Sequence, residues 1–281
     1  GSQRWLSFGT FSFQPGELIK YTVCLSAIYY FNKFAEYNPK QKWVNSLHFF
    51  LPMLLLILQP DFGTFSITAV LVAFACFLSD FPRRYFYSAL VTGFIAGVGL
   101  LVAAPYRVKR LMVFLDPWSD PQNSGFQIIQ SYLAFANGHI IGLGVGNSNE
   151  KLFYLPEAHN DFILSVIGEE LGFLGVCSVV LLFLSFTLFG FKLALSAGSK
   201  INQQIIASMV FAISLQAFLN MGVVLGLLPT KGLNLPFISS GGTSMFANVI
   251  AMGIVFCCLN IKSQISAGEE SSFYTQSALG V

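Results

Sequence analysis

The segment LPEAHNDF, residues 155–162, sets Glu157, His159 and Asp161 at alternate positions directly ahead of a long apolar run. A carboxylate within hydrogen-bond reach of a hydroxyl can serve as a general base, and a neighbouring imidazole or acid can tune it or hold its loop. A second cluster is cationic. In YRVKR, residues 106–110, Arg107 and Arg110 lie one helical turn apart and could clamp a diphosphate through charge-assisted hydrogen bonds. Lys231 adds a cation inside LPTKGLNLPFISSGGTS, residues 228–244. Glu17 and Lys20 form an i, i+3 pair shortly after Arg4 and Trp5.

Each cluster has a plainer reading. Asp161 or Asn160 could cap the helix that follows, with Glu169 and Glu170 as acids favoured by the positive end of its dipole. On a helix, Asp161 would share a face with Ser165, Gly168 or Glu169, and Gly172. YRVKR could anchor to headgroups by snorkelling, and Glu17 with Lys20 could be a surface ion pair. GHIIGLGVGN, residues 138–147, has no preceding strand and no GK[ST] after it, so its glycines suit a compact loop over a surface better than a nucleotide site.

The elements that position these residues are set by a membrane-like composition. Of 281 residues, 54% are hydrophobic, 30 are Phe and only 10% are charged, against about 25% charged in an ordinary soluble domain. A net charge of +2, with basic residues scattered between apolar blocks rather than gathered on one face, is too small to suggest a nucleic-acid partner. The five cysteines sit in apolar runs without ligand spacing, which argues against disulfides and structural zinc. The chain opens on Gly-Ser-Gln-Arg-Trp without Met, as expected for the later part of a longer protein or for a cloning scar.

Apolar blocks at 18–31, 44–58, 62–78, 85–104, 162–191, 201–228 and 237–259 predict an all-α polytopic membrane protein of about seven transmembrane helices. The second block is short. It is separated from the third by QPDFG, read as a turn at Pro60-Asp61-Phe62-Gly63 between two crossings. That choice places Lys33, Lys40, Lys42, Arg83, Arg84, Lys192, Lys200 and Lys262 on one side, which the positive-inside rule makes cytoplasmic. The long segment 105–161 is then extracytoplasmic. The domain expectation is one transmembrane domain over 1–262, with a polar cytoplasmic tail over 263–281.

GSQRW, FSFQPGELIK, QPDFGT, PYRVKR, LDPWSDP, SGFQIIQS, GLGVGNSNEKLFYLPEAHNDFILSVIGEELG and LPTKGLNLPFISSGGTS, in this order, resemble the signature blocks of the SEDS family of bacterial cell-shape and division proteins. LPEAH and LPTKGL resemble its division branch more than its elongation branch. Two positions depart from the family pattern: Asn160 stands where Thr is usual, and Ser239-Ser240-Gly241 has Ser where Tyr is usual. The resemblance implies the last seven helices of a ten-helix fold. It also implies a multi-pass protein of the bacterial cytoplasmic membrane at the division site that polymerises lipid II, a disaccharide-pentapeptide on undecaprenyl diphosphate, at the outer face.

The same resemblance implies Asp161 as the catalytic residue. The substrate-binding candidates are Arg4, Glu17, Lys20, Arg107, Arg110, Gln127, Gln130, His159, Lys231 and Ser239. Expected partners are a class B penicillin-binding protein transpeptidase and other division membrane proteins. No cofactor is required by the sequence; a divalent cation at the diphosphate is compatible with it, although no ligand cluster demands one. A lipid II flippase and a non-catalytic division scaffold are the competing functions.

Overall fold

The computed structural model describes residues 5–8, 11–102, 111–123, 125–148, 160–230 and 232–259. A short antiparallel hairpin, β1 (Leu6–Phe8) and β2 (Phe11–Phe13), comes first and is an addition to the all-α expectation. Helices follow as α1 (Pro15–Asn32), α2 (Pro39–Leu58), α3 (Phe62–Leu78), α4 (Arg83–Val102), α5 (Phe126–Gly138), α6 (Ile163–Ser196), α7 (Lys200–Val224) and α8 (Gly242–Leu259). All but α5 coincide with the apolar blocks, and α5 lies within the long 105–161 segment.

Local chemistry explains the boundaries. Pro15 and Pro39 open α1 and α2, where a missing backbone N–H costs nothing. Asn38 and Gln41 form a capping box, so α2 begins before its apolar block and reaches 20 residues, which removes the doubt over its length. Asp61 caps α3 by accepting from Thr64 N at 3.3 Å, and Ser199 caps α7 by accepting from Asn202 N at 3.1 Å. The turn between α2 and α3 therefore falls where QPDFG predicts it.

Helices α2, α6, α7 and α8 are long and apolar enough to cross a membrane, and α3, at 17 residues, is a shorter apolar helix. Helices α1 and α4 are as long but carry charge at their starts, Glu17 with Lys20 and Arg83 with Arg84. Contacts between remote elements confirm the alternation of direction. At one end, Gln14 N donates to Thr243 Oγ1 at 3.2 Å, and Asn220 of α7 bonds to the turn ahead of α6. At the opposite end, Gln204 Nε2 donates to Leu78 O at 2.9 Å, and Asn202 Nδ2 to Cys258 O at 3.1 Å. So α1, α3, α6 and α8 start at the first end, where α7 finishes.

Helix α7 is the axis of the bundle: its apolar stretch is 72% buried, against 17% for α2. The larger core gathers Tyr21, Ile28, Leu71, Met209, Ile213 and Ala251 from α1, α3, α7 and α8. A smaller core joins Phe162, Leu164 and Val176 of the α6 region to Ala217, Met221 and Leu235. Helix α4 meets α3 near its start, through Phe86 on Phe77, and exposes Leu90, Phe94 and Ile95 beyond it. Such apolar faces suit contact with acyl chains.

One break interrupts α6. Gly172 has φ +67° and ψ −165°, which splits the element into a half-helix directly after Asp161 and a longer apolar run. The carbonyls and amides released there are taken up by the glycine loop after α5. Leu143 N donates to Glu169 O and Gly144 N to Glu170 O, both at 3.0 Å. Phe173 N donates to His139 O at 2.9 Å, and Leu174 N to Ile140 O at 3.2 Å. In an apolar environment these groups need partners from protein, and the loop supplies them. Glycine is required here: a Cβ on Gly142 (φ +89°) would collide with Glu170 O, and one on Gly138 with Gly168 O.

Candidate functional site

Asp161 occupies the turn 160–162 ahead of α6. The helix starts at Ile163, with Phe162 at the N-cap and no side-chain cap, so neither Asn160 nor Asp161 takes the capping role considered above. Their polar groups engage other elements. Asn220, 1% exposed in the last turn of α7, donates from Nδ2 to Asp161 O at 2.7 Å and to Leu233 O at 2.5 Å. Both protons of this buried amide nitrogen are used, and they tie the Asp161 turn to the segment 232–235.

That segment wraps the turn from its other side. Ser239 Oγ accepts from Leu235 N at 2.7 Å and donates to Asn160 O at 2.5 Å. Ser240 Oγ donates to Asn160 Oδ1 at 2.6 Å. Gly232 lies so close to the Asp161 carboxylate that a Cβ there would stand 2.9 Å from Oδ2. The carboxylate thus sits against the backbone of Gly232, near the positive end of the first half of α6.

Lys20 joins the same segment from α1. Only 2% exposed, it donates from Nζ to Glu17 Oε2 at 2.6 Å and to Gln216 Oε1. Gln216 Nε2 in turn donates to Asn234 O at 2.9 Å. Lys20 is therefore buried and Glu17 half-buried, a relay into α7 rather than an exposed surface pair. Asp61, 5% exposed, lies beside the start of α1: its Oδ2 accepts from Thr64 Oγ1 at 2.8 Å and would be 3.7 Å from a Cβ on Gly16.

Other candidates fall elsewhere. Gln127 and Gln130 are half-buried on α5, and among the described residues no hydrogen bond links them to the Asp161 turn. Ser165 is fully buried and contacts Ser131 Oγ at 2.7 Å. Ser131 spends its one proton on Val224 O, so Ser165 is the donor in that pair. Gly172 does not continue the helical face of Asp161, because the chain breaks there. Glu169 and Glu170 are likewise not first-turn acids: Glu169 is fully buried at the break and accepts from Ser148 Oγ at 2.5 Å. Arg4, Arg107, Arg110, Glu157, His159 and Lys231 lie outside the described residues. Among the described residues no group of three His, Cys, Asp or Glu converges to hold a metal.

Sequence reasoning missed Asn220 and Gln216. Each is one amide in an apolar helix, and the only signal available was the cost of burying such a group without a partner.

A broken helix beside a carboxylate, held by an irregular segment at one end of an apolar bundle, defines a polytopic α-helical membrane protein with a polar site at that end. The chain belongs to the FtsW/RodA/SpoVE family, described as "Cell cycle protein", whose family model matches residues 1–264. It is 42% identical over 274 residues to the "Probable peptidoglycan glycosyltransferase FtsW" of Geobacter metallireducens, covering 94% of this chain and 71% of that protein. To the "Stage V sporulation protein E" of Bacillus subtilis it is 37% identical over 264 residues, covering 91% and 70%. Among solved structures, it is similar to a chain from work on structural coordination of polymerization and crosslinking by a peptidoglycan synthase complex (29% identity, TM-score 0.68, 91% of this chain and 72% of that one). It is also similar to the Thermus thermophilus rod shape determining protein RodA (25% identity, TM-score 0.60, 91% and 68%).

Proposed function

We propose that the chain is a peptidoglycan glycosyltransferase that polymerises lipid II at the outer face of the bacterial cytoplasmic membrane during division. The observation that carries the reading is the placement of Asp161. Its backbone is fixed by Asn220 and its carboxylate lies against Gly232, at the end of the bundle opposite Lys40, Lys42, Arg83, Arg84 and Lys200. The positive-inside rule makes that cationic end cytoplasmic and the Asp161 end external.

In the reaction, the acceptor sugar 4-hydroxyl attacks the donor anomeric carbon. The new C–O glycosidic bond forms as the bond from that carbon to the lipid diphosphate breaks. Asp161 takes the hydroxyl proton or orients the hydroxyl, the role its position supports. Arg107, Arg110 and Lys231 stabilise the charge that grows on the departing diphosphate. Glu157 and His159 hold the loop that presents Asp161. The transpeptidase expected to work beside it is a class B penicillin-binding protein; similarity to a chain of a peptidoglycan synthase complex supports such a partner.

The test is lipid II polymerisation by the purified full-length protein with that transpeptidase. Asp161→Asn is expected to lower the rate at least about a hundredfold, the lower range for a positioned general base. Undiminished polymerisation in a folded Asp161→Asn protein would remove the assignment. Translocation of lipid II across protein-only vesicles, with no polymer formed, would favour the flippase.

A further inference from the structure

Two features of the sequence that the mechanism does not use meet in space. Asn160 and Ser240, far apart in the chain, are the two ends of one hydrogen bond, Ser240 Oγ to Asn160 Oδ1 at 2.6 Å. The adjacent Ser239 holds the Asn160 backbone carbonyl at 2.5 Å and is itself fixed by Leu235 N at 2.7 Å. Asn160 is therefore gripped at its main chain and its side chain by consecutive serines, while Asn220 holds the next carbonyl, that of Asp161.

We propose that Asn160 and Ser240 act as a matched pair of positioning residues that sets the height of the Asp161 carboxylate above Gly232. The inference rests on the reading of Asp161 given above. Its physical basis is reach. The Asn160 acceptor lies one bond further from the backbone than the hydroxyl of a Thr, while Ser240 is the shortest hydroxyl donor available. A long acceptor opposite a short donor closes the gap. The two departures from the family pattern, Asn at 160 and Ser at 240, thus fall on one contact.

Changing one end alone breaks the match. Asn160→Thr withdraws the acceptor, and Ser240→Tyr overshoots it; Ser240 is exposed, so the larger ring has room to fold outward. The backbone clasp through Ser239 remains in both, so the turn is displaced rather than unfolded.

The test is a double-mutant cycle on lipid II polymerisation by the full-length protein with its transpeptidase. Asn160→Thr and Ser240→Tyr are each expected to lower kcat about fivefold, the loss of about one hydrogen bond, with KM for lipid II within about twofold. Because both changes break the same contact, the double variant is expected to be about as slow as the slower single one rather than the product of the two losses. The fall in kcat at nearly constant KM and unchanged thermal midpoint is the readout that a merely structural role would not give. If a single variant does not fold, Asn160→Ala and Ser240→Ala replace it, and the double Ala variant is expected to be no slower than either single one.

Hydrogen exchange at 160–163 and 232–241 reads the same coupling without catalysis. Intact activity in Asp161→Asn with coupled exchange would overturn the Asp161 assignment and leave the pair standing as a coupled contact. Single effects that multiply in the double variant, in rate and in exchange, would overturn the pair.

Discussion

The two ends of the helical bundle use polar residues in opposite ways. At the end opposite Asp161, exposed or half-buried cations rest on aromatic rings: Lys42 over Phe34 at 4.3 Å, Arg83 over Phe77 at 5.1 Å and Arg84 over Tyr85 at 4.7 Å. The ion pair there, Lys200 to Asp80 at 2.5 Å, has side chains 54% and 77% exposed. At the Asp161 end, Lys20, Asn220 and Ser239 are buried, and each connects elements remote in sequence. Lys20 reaches α7, Asn220 reaches the α6 turn, and Ser239 bridges the segment ahead of α8 to Asn160. Exposed charge reports which way the chain crosses; buried polar bonding reports where backbone has to be held still.

Substitutions at the two ends should therefore differ sharply. The largest effect on stability is expected for Lys20→Met, which strands Glu17 and leaves Gln216 without its donor. Breaking a buried ion pair from one side costs about 3–5 kcal/mol, to be read as a lowered thermal midpoint of the protein in detergent, and Glu17→Gln in the same chain should recover part of it. Next comes Gly142→Ala, which drives a Cβ into Glu170 O and places a side chain at φ +89°. About 2 kcal/mol or more is expected from backbone strain and lost bonds at the helix break, with faster hydrogen exchange at 169–174. Unchanged exchange there would show that the glycine loop does not support the break.

Asn220→Ala should cost about 2 kcal/mol, because two buried carbonyls lose their donor. Polymerisation should fall more steeply than stability, since one of those carbonyls belongs to Asp161. Lys200→Ala at the opposite end should change stability by less than about 0.5 kcal/mol, as exposed pairs do, and leave the rate unaltered. A large loss of rate in Lys200→Ala would break the contrast between the ends.

Much of the architecture was legible in the residue order. Apolar length marked the helices, and QPDFG marked the turn between α2 and α3. Signature blocks singled out Asp161. What stayed hidden required contacts across the chain. Gly172 sits in a run that reads as one long helix, because glycine alone does not announce a break; the break becomes stable only when residues 139–144 supply partners for its backbone. Asn220 and Gln216 look like stray amides on α7 until the segment 232–235 is folded against them. Glu17 and Lys20 read as a surface pair because i, i+3 spacing is silent about burial.

The sequence by itself set the expected number and sense of the crossings, and it showed which carboxylate stands at the mouth of α6. Those properties follow from local apolar length and from the sign of short loops, both additive along the chain. The tertiary structure decided which groups hold that carboxylate: the break at Gly172, the amide of Asn220 and the paired hydroxyls of Ser239 and Ser240. Hydrogen bonds between distant segments depend on position within fractions of an ångström, and only the packed bundle supplies it.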